Sequence, residues 1–228
     1  MSKDQDIRDT DPFDKKFPII QKPIEGTANI EYTAYIFEEM GPPSDFFELI
    51  SILNTAIEGD LILLNMSTPG GRGDSAVIIR DAIKNSRADV LGSIVGEVAS
   101  AGTLIALACD GLRVADNADF MCHNFTAGVY GKGHEIKDGS RFLLKNAKGF
   151  IKDCYKDFLT KGELKKLLNG KDYYFNSKEL RKRWDNVISK REEAINKVVK
   201  EEEEAHTKSL VEHLESKGYS VNKGETKS

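Results

Sequence analysis

The strongest constraint on this chain's architecture is a run apolar on both faces, Leu61-Ile-Leu-Leu-Asn-Met66, closed by Pro69-Gly-Gly71. A strand without a polar face must be covered on both sides, which is the condition of parallel strands inside α/β layers. The unit repeats. Residues 74–85 place Val77, Ile78, Ala82 and Ile83 at helical spacing, residues 90–95 read as a second strand, and the nearly all-apolar residues 100–109 read as a buried helix. Arg113-Val-Ala115 and Phe120-Met-Cys122 add short strands. Upstream, residues 30–37 read as a strand and Gly41-Pro-Pro43 as a turn. Ser44 then reads as the N-cap of a helix through Phe46, Leu49, Ile50 and Leu53. Strand and helix alternating in this way predict an α/β layered core.

Downstream, residues 133–158 predict a long helix with Ile136, Phe142, Leu143, Phe150, Ile151 and Tyr155 as its apolar positions, and residues 161–168 a short one. From Ile188 the chain is rich in Lys and Glu, a weakly amphipathic helix followed by a polar tail from Gly218. Residues 1–27, rich in Asp, Lys and Pro, predict a flexible N-terminal arm, with Phe17-Pro-Ile-Ile20 available to dock. The 228 residues therefore divide into that arm, one domain over 28–189 and a charged helical extension over 190–228.

Composition excludes several functions. The net charge is −4 with both signs interspersed, so no basic face for nucleic acid is expected. The apolar runs fall far short of the about 20 residues a bilayer span needs, and the acidic, polar stretch 1–12 is no secretory signal. Cys109, Cys122 and Cys154 are odd in number and match neither zinc nor disulfide spacing. They suit a reducing cytoplasm as small buried hydrophobes, and no metal or cofactor is expected.

Gly96-Glu-Val-Ala-Ser-Ala-Gly102 presents a serine at a glycine-flanked turn into an apolar helix, and Met121-Cys-His123 ends a later strand with a histidine. A serine hydroxyl is a poor nucleophile until a neighbouring base takes its proton. Asp172, in a polar, turn-like segment, can hold such a base in the required tautomer. The backbone N–H of Ala101 belongs to the free donors of a helix's first turn, and Gly70-Gly71 offers a second donor at the end of another strand. Taken singly, Ser100 could merely cap a helix, His123 could be a core histidine, and Gly70-Gly71 could be a plain turn. Together they read as a serine peptidase site. His134, His206 and His213 read as solvent-exposed and Trp184 as a core anchor.

In this order the blocks Ser67-Thr-Pro-Gly-Gly71, Gly96-Glu-Val-Ala-Ser-Ala-Gly102, Met121-Cys-His-Asn-Phe125 and Asp172-Tyr-Tyr-Phe-Asn-Ser-Lys-Glu-Leu180 resemble the Clp protease proteolytic subunit (ClpP, the S14 serine peptidases). The resemblance implies a ClpP/crotonase-like α/β fold of repeated ββα units forming a layered core, with a protruding handle helix over about 129–160. It implies Ser100 as nucleophile, His123 as general base and then acid, and Asp172 as its orienter. The N–H groups of Gly71 and Ala101 become the oxyanion hole. Substrate is implied to lie as an added strand against Gly70, Gly71 and Arg72 on one side and Phe125 and Thr126 on the other. The implied partners are further copies of the chain in heptameric or stacked rings, an AAA+ unfoldase, and unfolded polypeptides.

This chain departs from the family in several places. It carries Val98 and Ala101 where Ala and Met are usual, and Cys122-His-Asn-Phe125 where Ile-His-Gln-Pro is usual. Gly170-Lys171 stands where the family has an acidic–arginine pair linking the rings, and residues 61–66 lack the family's unfoldase-docking tyrosines. Two rival readings differ in class. One is a catalytically silent scaffold or modulatory subunit, which has no use for Ser100. The other is a crotonase-type acyl-CoA enzyme, which leaves the three triad residues without a role.

Overall fold

A computed structural model describes residues 17–216. The chain divides into two compact units, one ending at Trp184 and one beginning at Asp185. The first is built on a seven-stranded sheet of β1 (Ile19–Pro23), β2 (Ile30–Ile36), β3 (Leu61–Thr68), β4 (Asp89–Ala99), β5 (Gly111–Val114), β6 (Asp119–Cys122) and β7 (Tyr173–Asn176). The strand order is β1-β2-β3-β4-β6-β7, with β5 paired to β4 off that path. Helices α1 (Phe47–Thr55), α2 (Gly73–Asn85), α3 (Ala101–Ala106), α4 (Gly133–Tyr155) and α5 (Lys161–Leu167) follow in chain order. A final helix, α6 (Ser177–Ser216), starts in the first unit and supplies the described part of the second. The expected α/β class stands.

The long strand β4 organises the site. Its first half pairs in parallel with β5 (Leu91↔Gly111 to Ile94↔Val114) and its second half with β6 (Glu97↔Asp119 to Ala99↔Met121). On its other side β3 runs parallel to it, reaching Thr68↔Val98 after a register shift. The C-terminal ends of β3, β4 and β6 therefore lie along one edge. That edge is where open α/β sheets bind their ligands.

Side-chain burial along β3 corrects the two-faced expectation. Ile62, Leu64, Met66 and Thr68 are buried, whereas Leu61, Leu63, Asn65 and Ser67 are only half-buried, so one face alone is sealed from water. Ser44 is not an N-cap. Pro43–Phe46 form a 3-10 turn before α1, because two successive prolines cannot supply the N–H groups of a regular first turn. The described part of the expected arm is held in the sheet. Residues 19–23 pair antiparallel with β2, and Phe17 is buried, stacked on Phe46 with ring centroids 4.3 Å apart. Burying a side chain of that size stabilises by roughly 1.5–3 kcal/mol. Residues 1–16 lie outside the described residues.

Asp172, read from the sequence as lying in a polar, turn-like segment, directly precedes strand β7. The strand pairs antiparallel with β6, and Phe175 enters an aromatic cluster with Phe120 and Phe158. Arg183 lies over the Phe175 ring and reaches the Glu163 carboxylate on α5, which ties α5 to the start of α6. Trp184 is buried, as expected of an anchor. Helix α4 ends a turn earlier than expected, and of its apolar positions only Ile151 and Tyr155 are buried. Phe142 (70% exposed) and Leu144 point to water, and the buried residues of this helix lie only in its last turns.

In the second unit, the helical residues from Asp185 onward carry exposed Ile195, Val198 and Val199 and the spaced ion pairs Lys197–Glu201 and Lys200–Glu204. Of the three histidines expected at the surface, His134 and His206 are exposed, and the side chain of His213 lies outside the described residues. Among the described residues no helix is long and apolar enough to cross a membrane.

Candidate active site

Ser100 follows the last residue of β4 and precedes the first of α3. Its backbone has φ 52° and ψ −123°, and it is the sole non-glycine residue with positive φ among those described. A bent, unfavourable backbone of this kind costs on the order of 1–3 kcal/mol and persists only where its surroundings over-determine it. Here the Ser100 N–H donates to the Met121 carbonyl at 2.9 Å. The Ser100 carbonyl accepts from the Thr103 N–H at 3.0 Å and from Thr103 Oγ1 at 2.6 Å. The side chain makes no capping bond to α3. Ser100 Oγ lies instead 2.6 Å from Nε2 of His123.

The topology accounts for that contact. Ala99 and Met121 are register partners on neighbouring parallel strands, so residues just beyond them emerge side by side. His123 is half-buried. Asn124 behind it donates through Nδ2 to the Leu168 carbonyl at 3.4 Å.

Asp172 is less engaged. The antiparallel ladder ends with Cys122 opposite Tyr173, so extending it by one position sets His123 opposite Asp172, and directly opposed residues share a face. Asp172 is nonetheless exposed and makes no hydrogen bond or ion pair among the described residues. The structure thus brings Ser100 and His123 into contact and leaves Asp172 as an unbonded neighbour across the ladder.

Gly70 and Gly71 leave β3 at φ 95° and 134°. A methyl on Gly70 would stand 2.7 Å from Ser100 Cβ and 2.8 Å from the Ala101 nitrogen, so only glycine lets this loop reach the serine turn. Gly70 packs behind Ser100, whereas Gly71 lines the cleft in front. The Gly70 carbonyl accepts from the Met40 N–H at 2.7 Å, and the Arg72 N–H donates to the Met40 carbonyl at 2.9 Å. One edge of the segment is therefore taken, and Gly71 turns its own N–H and C=O the other way. Neither the Gly71 nor the Ala101 N–H has a partner among the described residues. The Arg72 guanidinium is exposed and paired with Asp74.

The cleft, about 90 Å³, is walled by Leu104, Phe125, Thr126, Ile151 and Tyr155 around Ser100 and His123. Beneath it Tyr155 OH meets Thr103 Oγ1 at 2.5 Å. Burial raises the Tyr155 phenol well above its ordinary range, and burial likewise raises the neighbouring Cys122 thiol. Both stay protonated, and the floor of the cleft carries no charge. A larger groove of about 390 Å³, lined by Phe17, Tyr35, Phe46 and Phe47 among others, has neither a histidine nor a cysteine in its lining. The serine–histidine contact lies in the smaller cleft.

Sequence reasoning missed Met40, Thr68, Thr103 and Tyr155, the residues that brace the glycine loop and the serine turn. Met40, Thr68 and Tyr155 each have a partner far along the chain (Gly70, Glu38 and Thr103), which no local pattern announces. The family model described as Clp protease matches residues 42–182, a span holding Gly71, Ser100, Ala101, His123 and Asp172 together. With the sheet edge, the glycine loop and the serine–histidine contact in that one span, the chain belongs to the Clp protease family.

Proposed function

We propose that this chain is a serine endopeptidase that cleaves unfolded polypeptides inside an oligomeric chamber, through an acyl-enzyme on Ser100. The carrying observation is the 2.6 Å contact between Ser100 Oγ and His123 Nε2. With its proton on Nδ1, the imidazole accepts the hydroxyl proton at Nε2 while Oγ bonds to the substrate carbonyl carbon. The carbonyl oxygen becomes an oxyanion held by the unpartnered N–H groups of Gly71 and Ala101. Nε2–H then protonates the departing amine as the C–N bond breaks, and water repeats the sequence to release the acid. Asp172, after a side-chain rotation across the end of the ladder, accepts Nδ1–H and steadies the imidazolium.

Substrate lies as an added strand along the free edge at Gly71, facing Phe125 and Thr126, with its side chain in the uncharged cleft. Further copies of the chain form the chamber, joined in part through the apolar outer face of α4. An AAA+ unfoldase delivers extended chains.

A fluorophosphonate that labels the wild type and not Ser100→Ala supports this reading, as does a native mass several times that of the 25.4 kDa chain. The unbonded state of Asp172 favours one alternative, a silent scaffold subunit. Absence of labelling in a folded, assembled sample would establish that alternative and overturn the peptidase.

A further inference from the structure

Thr68 is buried, with 1% of its surface exposed, at the last position of β3, and its hydroxyl is used twice. Oγ1 donates to the Glu38 carbonyl at 2.6 Å and accepts from the Gly70 N–H at 3.1 Å. The Gly70 carbonyl is held at 2.7 Å by the Met40 N–H. The two peptide planes that meet at Gly70 are therefore each held: Pro69–Gly70 by the Thr68 hydroxyl through the Gly70 N–H, and Gly70–Gly71 by the Met40 N–H through the Gly70 carbonyl. In a trans peptide the C=O and the following N–H point in opposite directions, and the chain has no cis peptide bond among the described residues. Anchoring the carbonyl on Met40 thus aims the Gly71 N–H away from Met40 and toward the cleft. The same threonine braces the other donor. A methyl on Gly102 would sit 2.7 Å from Thr68 Cγ2, so the threonine methyl lies against the first turn of α3, whose leading N–H is that of Ala101.

We infer that Thr68 is a positioning residue for the oxyanion donors: its hydroxyl ties the Gly70 N–H to the Glu38 carbonyl and so holds Gly70 where Met40 can fix its carbonyl and aim the Gly71 N–H, while its methyl packs against the start of α3. The inference rests on the peptidase reading above. Preorganised donors act only on charge that develops in the transition state, so misaiming one lowers kcat and leaves substrate binding nearly unchanged.

The test compares Thr68→Val, which keeps the shape and removes the hydroxyl, with Thr68→Ser, which keeps the hydroxyl. Full-length assembled protein is assayed with a fluorogenic peptide and with a peptide boronate, whose tetrahedral adduct mimics the charged intermediate. Loss of an entire oxyanion donor costs about 10²–10³ in kcat, so a misaimed one in Thr68→Val is expected to cost roughly tenfold to a hundredfold. KM should move less than threefold, boronate affinity should fall in step with kcat, and Thr68→Ser should recover most of the loss, on the order of magnitude that restored aim allows. Should Thr68→Val not fold, Thr68→Ala against Thr68→Ser isolates the hydroxyl in the same way. Equal kcat in the hydroxyl-bearing and hydroxyl-free variants overturns the inference and leaves the peptidase reading intact. A wild type that neither hydrolyses nor labels overturns both.

Discussion

Cys122 on β6 and Tyr173 on β7 are the last partners of an antiparallel ladder, and the residues just past that end, His123 after Cys122 and Asp172 before Tyr173, belong to the proposed triad. The ladder delivers His123 and Asp172 to opposite sides of one gap. It does not make the hydrogen bond between them. The carboxylate is exposed, so rotating it toward the imidazole disturbs no packed neighbour.

From this follows the effect of Asp172→Asn. An amide at this position stabilises the wrong imidazole tautomer, and kcat should fall by about 10³–10⁴ while the melting temperature stays within a degree or two. Steady-state peptide hydrolysis beside a thermal melt measures both. Activity at the wild-type level would remove Asp172 from the mechanism.

Ser100→Gly separates stability from activity. Glycine takes φ 52° without the steric penalty serine meets there, so the variant should gain about 1 kcal/mol, or a few degrees in Tm. Peptide hydrolysis should disappear. A variant less stable than wild type would show that the turn is not strained.

The Glu163 carboxyl titrates at about 2, below its ordinary 4.5, chiefly because the Arg183 guanidinium bonds it, opposed by partial burial and aided by Thr160 at the start of α5. A depressed carboxyl stabilises the fold fully above its unfolded value, and that contribution is lost as pH falls from about 4.5 toward 2. Denaturant titrations at stepped pH should show stability declining across that window. Glu163→Gln should flatten the decline and lower stability at pH 7 by on the order of 1–3 kcal/mol. An unchanged pH profile in the variant would rule out this pair as the source.

Ending the chain after Ser189 should leave a folded first unit, because the division falls after Trp184 and the exposed i,i+4 ion pairs beyond it each contribute only about 0.3–0.5 kcal/mol. A cooperative melt within a few degrees of the full chain is the expected result. Loss of the cooperative transition would show that the extension is needed for folding.

The serine–histidine pair was legible in the sequence because its cues are local: a serine between glycines before an apolar helix, and a histidine closing an apolar strand. Elements held by distant partners were not. Residues 172–176 carry no apolar alternation, and only Phe175 enters the core, so strand β7 exists because β6 offers it a ladder. Strand β1 is likewise exposed along most of its length and is held by its pairing to β2 and by Phe17 on Phe46. Thr68 reads as one more residue before a proline turn until the Glu38 carbonyl is found above it.

The eleven-residue strand Asp89–Ala99 is stapled to three neighbours in turn, and it stops directly at Ser100. Shifting the nucleophile would mean tearing the middle of the sheet. Adjustment of the proposed site is therefore left to the opposite bank, where the run from Thr126 to Gly128 and the Asp172 carboxylate are exposed, while the serine stays where the sheet has put it.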